Sequence, residues 1–285
     1  MSAFASLVAA VVLMLLLGLA LGFVIGVAVK VLAVPQDPRV EQAEALLPGA
    51  NCGACGFAGC ADFARALAAG DAKPEQCPSS SDETIEQLAA LLGLEVGERV
   101  QKVAVVRCGG DDTKATFAAA YNGVNDCRSA ALAAGGAKGC LYGCLGLGTC
   151  ARACPFGAIE ITEHRLAVVH PDICTGCGKC VEACPRDLIA LVPKSAPLHV
   201  LCNSPEKGAA KTKVCKAACI GCRKCVKNSE EGQMLIDGFL ARVNYENPPG
   251  AELAEVCPTK CLRPATRPAE SVPPTEDEKR EVVNA

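Results

Sequence analysis

The chain has 285 residues and a formal net charge of −3, which allows two or three small domains and argues against a nucleic-acid partner. Its dominant feature is 21 cysteines, an odd number clustered at spacings of two and three residues, which fits metal ligation better than a disulfide framework. Thiolate ligands need a reducing compartment, so we expect the cysteine-rich part to face the cytosol.

The N-terminus predicts a membrane anchor. Residues 1–29 contain no charged side chain, and about 20 apolar residues suffice to span a bilayer as a helix. A cleaved signal peptide would have a positively charged start and a shorter apolar core, so we expect residues 1–32 to form an uncleaved, single-pass transmembrane helix. Lys30 and Arg39 follow this helix and no basic residue precedes it, which predicts that the remainder lies on the cytoplasmic side of the cell (inner) membrane.

Three glycines of the anchor, Gly18, Gly22 and Gly26, recur every fourth residue and therefore share one helix face. Small residues in this pattern let a second transmembrane helix approach closely, and we interpret them as a contact with a partner in a membrane complex. The alternative is that glycine is simply common in membrane helices.

Residues 33–95 are expected to form a small domain with a four-cysteine site. Its cysteines follow a Cys-x2-Cys-x4-Cys-x16-Cys spacing, and the glycines between them let the loop curl around a cluster. Apolar residues at helical spacing predict a helix over 60–69 that returns the chain to the last cysteine. A four-cysteine zinc site is the alternative to a [4Fe–4S] cluster here. We assign this cluster to Cys52, Cys55, Cys60 and Cys77.

Residues 96–136 are expected to be a connecting α/β segment, with a strand over 99–107 and a helix that begins at Asp126. Cys108 and Cys127 have no close cysteine partner in the sequence. A lone cysteine is more often a small buried residue than a ligand, so we assign neither to a metal.

Residues 137–195 contain the most specific motif of the chain, a Cys-x2-Cys-x2-Cys-x3-Cys-Pro run that ends at Pro185. In bacterial ferredoxins the first three cysteines of this run bind one [4Fe–4S] cluster, and the fourth binds the neighbouring cluster. An earlier copy of the run precedes it, and the last cysteine of that copy is expected to complete the first cluster. We assign this cluster to Cys154, Cys174, Cys177 and Cys180.

The earlier copy departs from the motif at one position. Its last two cysteines, Cys150 and Cys154, align with the end of the later run, and this alignment places Leu147 where a cysteine is expected. Cys140 is the obvious replacement. Zinc sites do not need a trailing Cys-Pro, and two are present here, so iron–sulfur is favoured over structural zinc. We assign the second cluster of the pair to Cys140, Cys144, Cys150 and Cys184.

Short strands are expected over 158–161, 166–169 and 188–192. Together with the cysteine runs they predict a two-cluster ferredoxin-like βαββαβ module over residues 137–195. The predicted fold class is therefore α+β, a single N-terminal transmembrane helix followed by small iron–sulfur domains.

Residues 196–264 partly repeat what precedes them and are expected to form a second ferredoxin-like domain. Val106-Arg107-Cys108 resembles Val200-Leu201-Cys202, and Lys138-Gly139-Cys140 resembles Lys213-Val214-Cys215. A complete three-cysteine loop follows, but Ser229 stands where its fourth cysteine is expected. The next cysteine comes after a predicted hairpin at Asp237-Gly238. We assign a fourth [4Fe–4S] cluster to Cys219, Cys222, Cys225 and Cys257.

Alternatives stay open in this last domain. Cys261 or Cys215 could take the place of Cys257, and the residues alone do not decide whether Cys202, Cys215 and Cys261 build a fifth cluster. Residues 265–285 are rich in Pro, Glu and Lys and are expected to be disordered.

The sequence carries no recognisable catalytic constellation. It has three histidines in no clustered pair, no GxGxxG after a strand and no P-loop, so we expect neither catalytic residues nor a flavin or nicotinamide site on this chain. Iron–sulfur clusters pass single electrons. The interpretation is therefore an electron relay of three or four [4Fe–4S] clusters tethered to a membrane, with a zinc-stabilised membrane adaptor as the plainer alternative.

The order of these motifs resembles a known family. An N-terminal anchor, a four-cysteine module, then GCLGLGTCARACPFGAI and DICTGCGKCVEACP, is similar to the B subunit of the Rnf complex over nearly the whole chain. Residues 196–264 resemble the extended form of this protein, from which Ser229 departs.

The resemblance implies a ferredoxin:NAD oxidoreductase coupled to Na⁺ or H⁺ translocation. In that family the B subunit carries the iron–sulfur clusters and exchanges electrons with soluble ferredoxin, while the flavins and the nicotinamide sit on other membrane subunits. The related Rsx complex uses the same component to keep a regulator reduced. The second hypothesis is therefore a membrane-anchored redox donor that serves a regulator or another oxidoreductase without ion pumping.

Overall fold

A computed structural model of the protein describes residues 2–32 and 37–265. Its α-helices are α1 Ser2–Leu32, α2 Pro38–Leu46, α3 Cys60–Ala69, α4 Asp82–Leu92, α5 Cys127–Leu132, α6 Thr149–Arg152, α7 Lys179–Ala183, α8 Gly208–Val214 and α9 Lys224–Lys227. Its strands are β1 Lys102–Val106, β2 Ile159–Ile161, β3 Ala167–Val169, β4 Ile189–Pro193, β5 Leu198–Val200, β6 Met234–Asp237, β7 Leu240–Val243 and β8 Leu262–Pro264. Two 3₁₀ helices cover Pro74–Gln76 and Ala251–Val256. The predicted disordered tail, apart from Ala265, lies outside the described residues.

Helix α1 is apolar, and its side chains from Leu7 to Val27 are exposed. From Leu7 to Ala28 its mean hydropathy is 3.0, and none of that stretch is buried. No atom lies within 4 Å of the position that a Cβ would occupy on Gly18, Gly22 or Gly26. One apolar helix of this length is compatible with a membrane anchor, and its small-residue face is accessible to a second helix.

Helices α2, α3 and α4 form a small domain with a common core. Phe63 and Leu67 lie one turn apart on α3 and meet Ala43 of α2 and Leu88 of α4, and each of the four is at most 1% exposed. Helix α3 ends at Gly70, whose φ of +82° suits a residue without a Cβ. This core holds the loop before α3 and the segment after it in fixed positions.

The middle of the chain contains two antiparallel strand pairs. β1 pairs with β4, from Lys102 opposite Pro193 to Val106 opposite Ile189, and β2 pairs with β3. The segment 96–136, expected to be a connection, therefore contributes a paired strand. The valine-rich β1 buries Val103 and Val106, and its partner lies far ahead in the chain, where no local pattern indicates it.

The C-terminal part repeats this arrangement. β5 pairs with β8 and β6 pairs with β7, so that in both halves the first strand neighbours the last and the second neighbours the third. Leu198, Leu240 and Leu262 lie in the core of this second repeat, each at most 4% exposed. The hairpin between β6 and β7 turns at Gly238, with a φ of +59°, as Asp237-Gly238 predicts.

Backbone hydrogen bonds join the two repeats. The N–H of Gly109 donates to the carbonyl of Leu201 at 2.9 Å, and the N–H of Thr116 donates to the carbonyl of Val214 at 2.9 Å. These bonds bring the segments that follow β1 and β5 side by side.

Candidate metal centres

Five cavities among the described residues are lined by cysteines, and together they take up all 21. All 21 thiols are free. We name four of the cavities as sites and describe each below. The fifth, the inter-repeat cavity, is lined by Cys108, Cys140, Cys202 and Cys215.

The N-terminal site is a cavity of about 300 Å³ lined by all four cysteines predicted for it, Cys52, Cys55, Cys60 and Cys77. Asn51, at a φ of +46°, bends the loop back, and its Oδ1 accepts the N–H of Cys60 at 2.8 Å. Arg99 donates to the carbonyls of Cys77 at 3.1 Å and Ser80 at 2.9 Å. The thiols are therefore placed by a helix start on one side and an arginine-held turn on the other.

The first central site is a cavity of about 290 Å³ lined by the predicted set Cys154, Cys174, Cys177 and Cys180. Backbone N–H groups point at its sulfurs, from Ala104 to Cys174 at 3.3 Å and from Ala158 to Cys154 at 3.4 Å. Ala104 belongs to β1, so a strand outside the expected module supplies a donor to the site. Such N–H···S bonds tune the potential of a bound cluster.

The second central site differs from its prediction. Its cavity of about 370 Å³ is lined by Cys127, Cys144, Cys150 and Cys184, whereas Cys140 lines the inter-repeat cavity. The structure thus brings three of the four expected thiols together, and Cys127 lies in this cavity in place of Cys140.

A short hydrogen-bond network explains the replacement. The Thr149 hydroxyl donates to Asp126 at 2.8 Å and accepts the N–H of Cys127 at 2.7 Å, and Asp126 also caps α5 by accepting the N–H of Ser129. Because Thr149 precedes Cys150 in the chain, the network fixes Cys127 beside Cys150. Cys127 therefore lines this cavity together with Cys144, Cys150 and Cys184.

The C-terminal site is a cavity of about 380 Å³ lined by the four predicted cysteines and by a fifth thiol. These cysteines are Cys219, Cys222, Cys225, Cys257 and Cys261. Cys261 lies four residues after Cys257, as the core residue Leu188 does after Cys184. Side-chain hydrogen bonding with Cys261 lowers the pKa of Cys219 to about 5 and that of Cys202 to about 6, and it raises the pKa of Cys261.

Burial raises the pKa of several other thiols. It raises the pKa of Cys150 and Cys180 to about 12 and that of Cys144 to about 11. In the absence of a metal these thiols therefore keep their protons at neutral pH, and ligand binding has to release them.

The described thiols line cavities rather than converge on single points. Throughout 2–32 and 37–265, no group of three or more His, Cys, Asp or Glu side chains could hold one metal ion. The cysteines instead surround cavities of about 290 to 400 Å³, and glycines open the loops. A Cβ on Gly176 would lie 2.4 Å from the carbonyl oxygen of Lys102.

Comparison with known proteins agrees with this chemistry. A family model described as "Putative Fe-S cluster" matches residues 47–79, which enclose the N-terminal site, and the "4Fe-4S dicluster domain" model matches residues 139–188. The B subunit of the "Ion-translocating oxidoreductase complex" of Methanosarcina acetivorans is 42% identical over 83% of this chain and 90% of the relative. This chain belongs to the family of B subunits of ion-translocating oxidoreductase complexes.

Two further relatives carry more specific names. The B subunit of the "Na(+)-translocating ferredoxin:NAD(+) oxidoreductase complex" of Acetobacterium woodii is 40% identical over 83% of this chain and 71% of the relative. The B subunit of the "Proton-translocating ferredoxin:NAD(+) oxidoreductase complex" of Clostridium ljungdahlii is 43% identical over 67% of each chain. The expected resemblance is therefore confirmed, and the chain is a component of an oxidoreductase complex.

The sequence analysis left Cys108 and Cys127 of this B subunit unassigned and left the role of Cys202 open. Cys127 had one available signal, the gap at Leu147 in an otherwise complete motif. Cys108 and Cys202 had another, since both follow a strand at equivalent positions of the repeat. Neither signal indicates which other cysteines line the same cavity, because these thiols come together only in the folded chain.

The sites follow one another through direct contacts. Ser79, 3.7 Å from the sulfur of Cys52, donates its hydroxyl to Thr175 at 3.2 Å, which links the N-terminal site to the first central site. The N–H of Cys144 donates to the sulfur of Cys108 at 3.3 Å, which links the second central site to the inter-repeat cavity. Cys202, which lines that cavity, packs in one buried cluster with Cys219 and Cys261 of the C-terminal site.

Proposed function

We propose that this chain is the iron–sulfur electron-relay component of a membrane-bound ferredoxin:NAD oxidoreductase complex that translocates Na⁺ or H⁺. The supporting observation is the series of cysteine-lined cavities, which runs from the first domain to the last. A protein that needed clusters only for stability would have no reason to place them in contact.

The cavity linings support the following ligand sets. The N-terminal and first central sites take their four predicted cysteines, and the C-terminal site takes Cys219, Cys222, Cys225 and Cys257. The second central site takes Cys127 with Cys144, Cys150 and Cys184. The first and second central sites belong to a two-cluster ferredoxin-like module in which β1 is the first strand. A bound [4Fe–4S] cluster accepts and donates one electron at a time.

The C-terminal site supports a soluble electron carrier as one partner. Cys222 is exposed, in contrast to the buried Cys219 and Cys225. Arg223, Lys224 and Lys227 lie beside it in the sequence, and we call these three residues the basic rim. A positive rim attracts an acidic partner and speeds its encounter, which is the chemistry expected for docking of ferredoxin.

The anchor supports the remaining partners and the location. Helix α1 would hold the chain at the cell (inner) membrane as a single pass, with the iron–sulfur domains on the cytoplasmic side. Its glycine face would contact other membrane subunits of the complex, and these would carry the flavins and the nicotinamide site.

The experiment uses the complete complex in inverted membrane vesicles prepared without oxygen. We expect ferredoxin-dependent reduction of NAD⁺ with accumulation of Na⁺ or H⁺ in the vesicle lumen. Cys180→Ala in the first central site is expected to lower the rate at least tenfold. Ser229→Ala is the matched control. Ser229 stands where the motif expects a cysteine, so it supplies no thiol and this variant is expected to retain the rate.

The outcomes separate the hypotheses. Cluster-loaded protein that reduces a regulator or another oxidoreductase, without ion accumulation, would favour the redox-donor hypothesis. Colourless protein that contains zinc after anaerobic purification would favour the zinc-stabilised adaptor, and would overturn the electron relay.

A further inference from the structure

The inter-repeat cavity is built like the four sites but belongs to none of them. It has a volume of about 400 Å³ and is lined by four cysteines. Cys108 and Cys140 come from the first repeat, and Cys202 and Cys215 come from equivalent positions of the second. Its ligand set is therefore divided equally between the two halves of the protein.

Backbone hydrogen bonds hold the segments around this cavity together, and the backbone lies close to one of its sulfurs. The residues after Cys108 and before Cys202 are joined by the hydrogen bond from Gly109 to Leu201, and Ala115 bridges Cys215 in a short antiparallel contact. A Cβ on Gly110 would lie 2.8 Å from the sulfur of Cys215. Only a glycine leaves that sulfur its present position.

Two buried cations line the same cavity. Lys138 is 3% exposed and donates to the carbonyls of Gly110 at 2.6 Å and Cys144 at 2.7 Å, and Lys211 is 1% exposed and donates to the carbonyl of Phe239 at 2.8 Å. Among the ion pairs of the described residues, neither lysine has a carboxylate partner. Burying an ammonium group without a counter-charge is costly, so the cavity calls for an anionic occupant.

We infer that the inter-repeat cavity is a fifth [4Fe–4S] site whose ligands are Cys108, Cys140, Cys202 and Cys215. On binding of a preformed [4Fe–4S]²⁺ core, each thiol forms one sulfur–iron bond and releases its proton to solvent. The net charge of the site becomes about −2, and Lys138 and Lys211 offset it. The ligand assignment is independent of the proposed function. The role of the site as a link in the relay rests on the proposed function.

The position of this site gives it that role. It contacts the second central site through the hydrogen bond from Cys144 to Cys108, and it adjoins the C-terminal site because Cys202 lies in one buried cluster with Cys219 and Cys261. Without this site, the clusters of the N-terminal and central sites would form one group. The C-terminal cluster beside the basic rim would stand apart from them.

The test counts clusters in the full-length protein purified without oxygen. Iron and acid-labile sulfide are expected to correspond to five clusters per chain. Cys108→Ser and Cys202→Ser, one in each repeat, are each expected to lose about a fifth of the iron and one reduced-cluster signal in electron spin resonance. Because both residues serve one cluster, the double variant is expected to lose no more than either single variant.

The control is Ser204→Ala. Ser204 lines the same cavity and is 2% exposed but carries no thiol, so full cluster content is expected. In the Cys108 and Cys202 variants, the electron spin resonance signals of the other four clusters show that the chain has folded.

Other results would overturn the inference. Four clusters in the unaltered chain, an additive loss in the double variant, or one zinc per chain that disappears with Cys108→Ser would each exclude the fifth cluster and leave the proposed relay standing. Protein without any cluster would instead overturn the proposed function itself.

Discussion

Thr149 connects the two parts of the second central site, because its hydroxyl contacts both Asp126 and the backbone of Cys127. This contact makes Cys127, rather than Cys140, the fourth thiol of that cavity. The two assignments predict different results for the same pair of substitutions.

We expect Cys127→Ser to lose one cluster, with about four irons and four sulfides fewer per chain. The double variant Cys127→Ser/Cys140→Ser is expected to lose two, because the residues line different cavities. Iron and sulfide analysis with spin resonance of the reduced protein measures both. Ser129→Ala, in the same helix, is the control. Full cluster content in Cys127→Ser would restore Cys140 to the second central site.

His199 provides a prediction on pH. It is 7% exposed, its Nδ1 lies 3.2 Å from the Tyr245 hydroxyl, and burial lowers its pKa to about 4. As pH falls below about 6.5 the unfolded chain binds a proton that the folded chain does not, so the contribution of the neutral ring to stability is lost between about pH 6.5 and 4. We expect a loss of about 1 kcal/mol at pH 5.5 relative to pH 7.5.

The check compares Tm at the two pH values without oxygen. His199→Gln is expected to lack this part of the pH dependence, and His164→Gln, at an exposed turn, is expected to retain it. Equal pH dependence in all three proteins would show that His199 titrates normally.

At the scale of elements, three cluster-loop glycines approach a neighbouring backbone closely. A Cβ on Gly146, Gly176 or Gly221 would lie 2.1, 2.4 or 2.9 Å from the carbonyl oxygen of Arg165, Lys102 or Phe239, and all three glycines have positive φ. The same approach recurs because each loop curls against a strand or turn of its own repeat.

Gly176→Ala is expected to destabilise the protein by about 3 kcal/mol or more, because a clash adds to about 1–2 kcal/mol of left-handed strain. Gly232→Ala isolates the strain, since Gly232 has a φ of +82° but open space around it. We expect it to cost about 1 kcal/mol and to keep all clusters. Thermal unfolding and iron content distinguish the two, and equal effects would mean that the close approach carries no cost.

The elements also show how far local patterns reach. The predicted helix over 60–69 matches α3, and the expected strands and the Asp237-Gly238 turn appear where apolar alternation and turn residues indicate them. The pairing of β1 with β4 was not predicted, nor was the meeting of Cys108 with Cys202. Both join residues far apart in the chain, and no short-range spacing encodes a contact that only tertiary packing creates.

For the whole molecule, we expect the remainder of the chain to fold and bind its clusters without α1. Removal of residues 1–32 should give a soluble protein with unchanged iron and sulfide, because the candidate span from Leu7 to Ala28 is not buried against the rest of the chain. Fractionation and cluster analysis check this, with the full-length chain in the membrane fraction as the reference. A truncated chain that loses its clusters would mean that the helix supports the fold.

The basic rim gives a prediction for the assembled complex. Reversing it with Arg223→Glu, Lys224→Glu and Lys227→Glu is expected to raise the KM for ferredoxin severalfold at low salt, and much less at high salt. Steady-state NAD⁺ reduction at two ionic strengths measures the effect. The same reversal at Arg65 and Lys73, in the first domain, is the control, and an equal effect there would place ferredoxin elsewhere.

The division of the inter-repeat cavity between the two halves has a consequence for biosynthesis. Cys108 and Cys140 leave the ribosome before Cys202 and Cys215 have been translated, so the nascent chain holds half of a ligand set with nothing to close it. Maturation of that centre must then come after translation of the second repeat, whereas the N-terminal site can be filled while the polypeptide is still growing.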